Sequence, residues 1–282
     1  MRTRYSCVIG YFLALVYCSS IAILIPILTA ILSRPAAAAG CVLRVGYSID
    51  PPWTFNGADG LAHGTDPDLT REALRLMQCE GQFIQLPWAR AVKQIEEGKI
   101  DLLPGLIKTE KRELFAYFSS PLQKSRVYLF VRNALVSRYS LKSINDFAHA
   151  DFLFGVEFGA NFGQYYENIV SDQNFSRRTI PFASMTEAWR MMGAGRLDAL
   201  ISDETTALRA IHDLAITDKV VRTDILISDS PSRVGFSRKT ADLALVAKFD
   251  RAVEEMIRNG SYKRILESDL PCHIAVQKLG CE

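Results

Sequence analysis

Histidine is scarce in this chain, four residues among 282, and none of the six cysteines forms a C-x-x-C pair. Scattered imidazoles without paired thiolates do not build a tetrahedral metal site, so neither a metal nor a cofactor is expected. The G-x-S-x-G elbow, the H-E-x-x-H helix and the phosphate-cradling glycine loop are missing as well. Their absence removes the commonest signatures of serine hydrolases, zinc peptidases and nucleotide-driven enzymes. No long basic run tracks a phosphate backbone, which argues against nucleic acid as a partner.

The formal net charge of +2 owes its sign to the N-terminus. Arg2, Arg4 and Arg34 stand in a stretch without acids, and the rest carries 30 basic against 31 acidic residues, a net charge of −1. Residues 1–39 read as a signal peptide: a positive start, an apolar run from Val8 to Leu32, and small residues at Ala37 and Ala39 for cleavage. The run is long enough to span a bilayer, about 20 residues. Pro26 interrupts it, and the alanine tract that follows favours cleavage over a retained anchor. A lipid-attachment motif, AAGC ending at Cys41, ranks below plain cleavage because Ala38 occupies a place usually held by a larger aliphatic residue. The expected destination is the periplasm.

Export decides how the cysteines are read. Cys7 and Cys18 leave with the leader, and Cys41, Cys79, Cys272 and Cys281 enter an oxidising compartment, where an even number points to disulfides over zinc. Cys41 precedes the strand VLRVGY and Cys79 precedes QFIQL. If those strands lie parallel and adjacent, the two thiols share one sheet edge. Cys272 and Cys281 would then close a small C-terminal loop.

Beyond the leader, strands and helices alternate. VLRVGY, QFIQL and IDLLPGL are separated by helical stretches, one opened by Asp66 as N-cap with Pro67 behind it and another running from Ala89 to Glu97. RVYLFVRN is a further strand. A second series follows: FLFGVE, a helix after a Ser184/Glu187 capping box, RLDALISD, the helical ETTALRAIH and the strand-like KVVRT. An amphipathic helix from about Ala241 to Asn259 closes the pattern before Gly260. Two β-α-β series imply two α/β lobes with parallel sheets: 40–131 with 228–282 as lobe 1, and 132–227 as lobe 2. Ligands of such sheets sit at the carboxyl ends of the strands. That nominates the loops DPPW, PWAR, GLIKTEKR, EFGANF and SDE.

Taken together, these loops resemble the periplasmic amino-acid-type solute-binding proteins of ABC importers, the family 3 class, from about Leu43 to Leu266. LRVGYSIDPPWTF is similar to that family's opening strand and aromatic loop. GKIDLLPGLIKTEKRELFAYFSSPL is similar to its G-x-x-D…T-x-x-R…F-S-x-P-Y block, with Leu122 in place of tyrosine. GRLDALISDE and NGSYKRIL resemble the second-lobe acidic block and the closing turn. CVLRVGY with CEGQFIQLPWAR looks like a subgroup with a first-lobe disulfide and a PW-x-R loop.

The resemblance implies a two-lobed periplasmic-binding-protein fold of type II, each lobe a mainly parallel sheet flanked by helices, with the ligand between them. It also implies a monomer with an amino acid or related carboxylate as ligand and a membrane permease as partner. A guanidinium matches a carboxylate through two parallel charge-assisted bonds. The family pattern gives that role to Arg112, while Lys108 and Lys111 match no ligand position and read as solvated. Backbone donors near Gly105 and Ile107, and those at Ala160 and Asn161, would complete the carboxylate site. Ile107 and Ala160 stand where many relatives carry hydroxyls. Asp203 is the ammonium acceptor, and N-capping is a compatible second task. Asp101 and Asp198 read as structural partners. Trp53 takes the aromatic clamp position, Trp88 stands behind it, and Trp189 reads as core. Arg90 is assigned to a second acidic group of the ligand or to Glu157, which itself adds charge to the cleft. Two other function classes share this architecture: an exported cyclohexadienyl dehydratase-like enzyme, and a sensory module held by an uncleaved leader.

Overall fold

The computed structural model describes residues 40–137, 139, 142–143, 146 and 151–269. The leader and the Cys272/Cys281 pair lie outside the described residues.

The strands are β1 (Cys41–Tyr47), β2 (Phe55–Asn56), β3 (Ala62–His63), β4 (Cys79–Gln85), β5 (Leu102–Ile107), β6 (Ala116–Phe118), β7 (Val127–Arg132), β8 (Phe154–Glu157), β9 (Thr179–Phe182), β10 (Ala199–Asp203), β11 (Val220–Ser228) and β12 (Ser232–Ser237). The helices are α1 (Thr65–Leu76), α2 (Trp88–Glu97), α3 (Glu110–Glu113), α4 (Asn133–Val136), α5 (Gln164–Ser171), α6 (Gln173–Ser176), α7 (Met185–Gly193), α8 (Glu204–Asp213), α9 (Leu243–Arg258) and α10 (Ser261–Asp269). They build two five-stranded sheets, ordered β4-β1-β5-β12-β6 and β11-β7-β10-β8-β9.

Each sheet joins three parallel strands to a strand delivered from the other half. In the first sheet β4, β1 and β5 are parallel, and β12, returning from the second, pairs antiparallel with β5. In the second, β9, β8 and β10 are parallel, and β7, arriving from the first, pairs antiparallel with β10. The sheets are therefore mixed, with the parallel part confined to three strands. This pairing moves a sequence-based boundary. The division at 131/132 leaves most of RVYLFVRN in lobe 1, yet Val127–Arg132 belongs to the second sheet. The crossing falls between Phe118 and Val127, because periodicity marks a strand without saying which sheet receives it.

Side-chain alternation explains why β7 suits a sheet covered on both faces. Val127, Leu129 and Val131 join one core with Phe154, Phe175 and Ile201, while Tyr128 and Phe130 turn to another with Trp189, Leu200 and Ile211. Trp189 is core as expected, edge-on to Phe130 at 5.4 Å. The first sheet is covered likewise, by α1 and α9 through Leu69, Leu74, Phe249 and Met256, and on the opposite face by Ala91 and Ile95 of α2.

The parallel register of β1 and β4 places Cys41 directly opposite Cys79, and the two form a disulfide with Cα atoms 4.5 Å apart. Two capping expectations are corrected. Gly64 occupies the N-cap of α1, so Asp66 is its second residue and turns a buried carboxyl inward instead of capping. Ser184 does stand at the N-cap of α7, but its side chain makes no capping hydrogen bond. Caps not foreseen include Thr109 on α3 and Asp242 on α9, each accepting from a backbone N–H of the first turn.

Candidate ligand-binding site

The carboxyl ends of β1, β4 and β5 face those of β8 and β10 across a cavity of about 110 Å³, a volume for a small solute. Trp53, Trp88, Gly105, Ile107, Glu157, Ala160, Asn161 and Asp203 all line it, as does Arg112. Arg90 does not. Its neighbour Trp88 faces the cavity and Ala91 and Ile95 face the core, so the helical turn sends residue 90 to solvent, where it makes no ion pair with Glu157. The PW-x-R loop serves the site differently: a Cβ on Gly159 (φ +83°) would come within 2.8 Å of Ala89 Cβ, so glycine lets the two lobes' loops touch.

Arg112 sits in the one-turn helix α3, opened by the Thr109 hydroxyl, which accepts from its backbone N–H. Its side chain is 4 % exposed. Nη1 donates to the carbonyls of Ile107 (2.9 Å) and Asn161 (3.2 Å), one from each lobe, and the guanidinium lies over the Trp88 ring at 5.9 Å. Nε and Nη2 have no acceptor among the described residues, which leaves one edge of the fork unspent. Desolvation pulls the pKa of Arg112 down to about 10, with Glu157 and Glu167 opposing. The group stays charged at neutral pH and lacks a counter-ion in contact.

Asp203 closes the other end. It caps α8, accepting from the amides of Thr205 (2.9 Å) and Thr206 (3.3 Å). The same oxygen, Oδ1, accepts from Trp53 Nε1 at 3.1 Å, and Oδ2 accepts from Ser125 Oγ at 3.0 Å. Burial raises its pKa against the pull of these donors. The Trp53 bond crosses between lobes, so an indole that reads as a ligand clamp is also a fastener. Trp53 is buried, with its indole nitrogen held by Asp203 of the second lobe.

Two acids escaped the sequence reading. Asp50, in the DPPW loop itself, has its pKa pushed up to about 7, mainly by burial and then by Asp203. Asp66 is also pushed up to about 7, by burial and the charges of Asp50 and Asp203, and accepts from Gln123 Nε2 at 2.5 Å. A Cβ at Gly105 (φ +78°) would approach Asp66 Oδ2 to 2.9 Å, so glycine makes room for this carboxyl. The available signal was position: Asp50 follows the first strand and Asp66 opens the next helix, both at the carboxyl edge of the sheet. Glu157, at the end of β8, is pushed up to about 8 by burial and by Asp50, with Arg112 opposing. The cavity thus gathers four carboxyl groups around one buried guanidinium and the more exposed Lys124.

The crossing segment bonds carboxyls of both lobes. Gln123 holds Asp66 of the first lobe, and Ser125, two residues on, holds Asp203 of the second. Asp101 and Asp198 have the structural roles expected: Asp101 accepts from Arg44, and Asp198 from Arg132 and the Leu153 amide. Lys108 pairs with Glu113 at 2.7 Å within its own turn. Lys111 is solvated as expected, and its exposed ammonium also reaches Glu167 of α5 at 2.7 Å, across the cleft. Among the described residues no group of three or more His, Cys, Asp or Glu could hold a metal ion, and no helix is long and apolar enough to cross a membrane.

The comparisons with known proteins agree with this architecture. The ABC transporter arginine-binding protein 1 of Escherichia coli (strain K12) is 21% identical over 253 residues, covering 87% of this chain and 98% of that one. The L-arginine-binding protein of Pseudomonas aeruginosa (strain PAO1) is 23% identical over 251 residues, with 83% and 90% covered. Among solved structures, an ancestral arginine-binding protein bound to arginine superposes with a TM-score of 0.69 at 25% identity, over 80% of this chain and 97% of that one. The model of the bacterial extracellular solute-binding proteins, family 3, matches residues 43–268, and the chain belongs to that family.

Proposed function

We propose that this protein is a periplasmic receptor that closes its two lobes on an amino acid and presents it to an ABC importer. The observation that carries the reading is Arg112: a buried guanidinium with an unspent edge, in a cavity whose opposite end is acidic. A free amino acid supplies the missing partners, its carboxylate to Arg112 and its ammonium to Asp203. Burying either ligand charge unpaired costs several kcal/mol, so both ends are needed. Amides near Ile107 and Ala160 supply the remaining donors, which makes the two absent hydroxyls tolerable. The relatives above are named for arginine and for ABC transport, which supports the amino-acid class and the importer. The leader, the periplasmic destination, the single-chain state and the permease contact belong to this same reading.

Calorimetry of the mature protein, unfolded and refolded to strip retained ligand, against the common amino acids tests it. Binding of at least one amino acid that is abolished by Arg112→Ala is the expected result; Arg112-independent binding defeats the assignment. The enzyme reading has one observation in its favour, a Glu157 carboxyl that keeps its proton near neutrality beside Arg112. Turnover of prephenate or arogenate would replace the receptor reading with a dehydratase.

A further inference from the structure

The cavity holds more acid than an α-amino acid needs. One carboxylate suffices for an α-ammonium, and Asp203 has already spent much of its accepting capacity on four protein donors. Asp50, Asp66 and Glu157 remain. Asp66 has a protein partner in Gln123, whereas Asp50 and Glu157 face the cavity from opposite lobes, near enough for the charge of Asp50 to oppose ionisation of Glu157. Like charges brought together in a desolvated space share protons until a cation enters.

We propose that the ligand carries a second cationic group beyond its α-ammonium, that this group seats between Asp50 and Glu157, and that its capture expels a proton from the pair. The inference rests on the amino-acid reading above and narrows it to a cationic side chain. The balance is simple. A carboxyl of the pair gives its proton to solvent, its carboxylate pairs with the incoming ammonium or guanidinium, and net charge in the cavity is unchanged.

The surrounding charges favour this exchange. The charge of Arg112 favours ionised Glu157, but no ion pair closes between them, and the ligand carboxylate would occupy the free edge of the guanidinium. The Tyr166 hydroxyl of α5, pushed up to about 12 by burial and by Glu157, stays neutral and cannot supply a charge. Asp203 and Asp66 add negative potential from α8 and α1, and Lys124 lines the cavity from the crossing segment. On the far side of the Asp50 loop, Arg190, Arg209 and Asp213 border a second crevice that Asp50 also lines, and Arg209 is paired with Asp213 at 2.6 Å. The Thr206 hydroxyl, beside Asp50, favours its ionised form but makes no hydrogen bond of good geometry.

The test compares L-arginine with L-citrulline, its neutral near-isostere, and L-lysine with L-norleucine, on the refolded mature protein. Titrations run at about pH 5.5 and pH 7.5 in two buffers of different ionisation heat. The cationic member of a pair is expected to bind at least 30-fold tighter, the scale of a lost charge-assisted contact. About one proton should be released, and affinity should rise about tenfold per pH unit where the pair titrates. Glu157→Gln should shrink the arginine/citrulline ratio to within about threefold and remove the buffer-dependent heat. Equal binding of arginine and citrulline, or no proton release, overturns the inference. Arg112-dependent binding of a neutral or acidic amino acid alone overturns it too while leaving the receptor reading intact. Failure of every amino acid to bind defeats both.

Discussion

The two ends of the cavity carry opposite charges and are built on opposite plans. Asp203 is saturated: an indole, a hydroxyl and two helix amides hold its oxygens. Arg112 is barely held, with one nitrogen on two carbonyls and the rest of its fork unpaired. A polar group that spends its capacity on the protein stiffens the fold, and one that keeps it in reserve waits for a ligand. Asp203 is thus a seam fastener, whatever share it takes in the proposed ligand site. Arg112 gives the seam one shared donor, and the other edge of its fork stays open.

The largest expected effect follows from that contrast. Arg112→Ala should abolish binding, a loss of about 3–5 kcal/mol from leaving the ligand carboxylate buried and unpaired, with thermal stability of the ligand-free protein nearly unchanged. Asp203→Ala should behave oppositely and lower stability as well as affinity, since it strips a cap and a cross-lobe bond. Calorimetry and thermal unfolding on both variants would break the comparison if the stability loss fell on Arg112 instead.

Next in size is the pH dependence of the ligand-free protein. Carboxyls near pKa 4 when unfolded are pushed up to about 7 at Asp50 and Asp66 and about 8 at Glu157. The folded form therefore binds more protons than the unfolded form over that interval, and stability must fall as pH rises from about 4 to 8. A loss on the order of 2–4 kcal/mol is expected, smaller when a cationic ligand is bound. Denaturant midpoints at pH 5 and pH 8 check it, and a rise towards pH 8 contradicts a cavity whose acids outnumber its cations.

The disulfide sharpens the comparison from another side. It closes a 38-residue separation between β1 and β4, and loop-closure arguments give about 2–4 kcal/mol. It joins the amino ends of these strands, whereas the ligand loops leave their carboxyl ends, seven residues or about 20 Å away. Cys41→Ser with Cys79→Ser should thus cost stability and leave affinity within about threefold, because the clip and Arg112 share a lobe but not an end.

What the sequence made legible was whatever lies in local pattern. The β-α-β alternation and the Cys41/Cys79 pair could be read from local pattern, and Trp53, Arg112 and Asp203, all of which line the cavity, from the family resemblance. The membership of Val127–Arg132 could not, because its alternation suits either sheet. Asp50 and Asp66 were passed over for a related reason. Asp66 stands two residues after the actual cap, and that offset decides whether a carboxyl caps a helix or enters the cavity. Arg90 failed by the same geometry in reverse, two residues along a helix from a tryptophan that faces the site. Charge in a cleft is a property of what converges there, and convergence is not written in any one loop.

Lys111 shows the smallest effect and the finest test of the contrast. Its ammonium meets Glu167 across the cleft at 2.7 Å, and Glu167 also accepts from Asn161, whose carbonyl takes a bond from Arg112. The pair therefore latches the lobes beside the loosely held cation, on the side where Asp203 and Trp53 do not reach. The side chain of Lys111 is 70 % exposed, so solvent screens the pair and its contribution is under about 1 kcal/mol. Lys111→Ala should raise the ligand off-rate by less than about fivefold with little change in on-rate, and the difference from wild type should vanish in about 0.5 M salt. Stopped-flow dissociation at two ionic strengths measures it. An effect that survived high salt would mean that packing, and not charge, closes the Arg112 end.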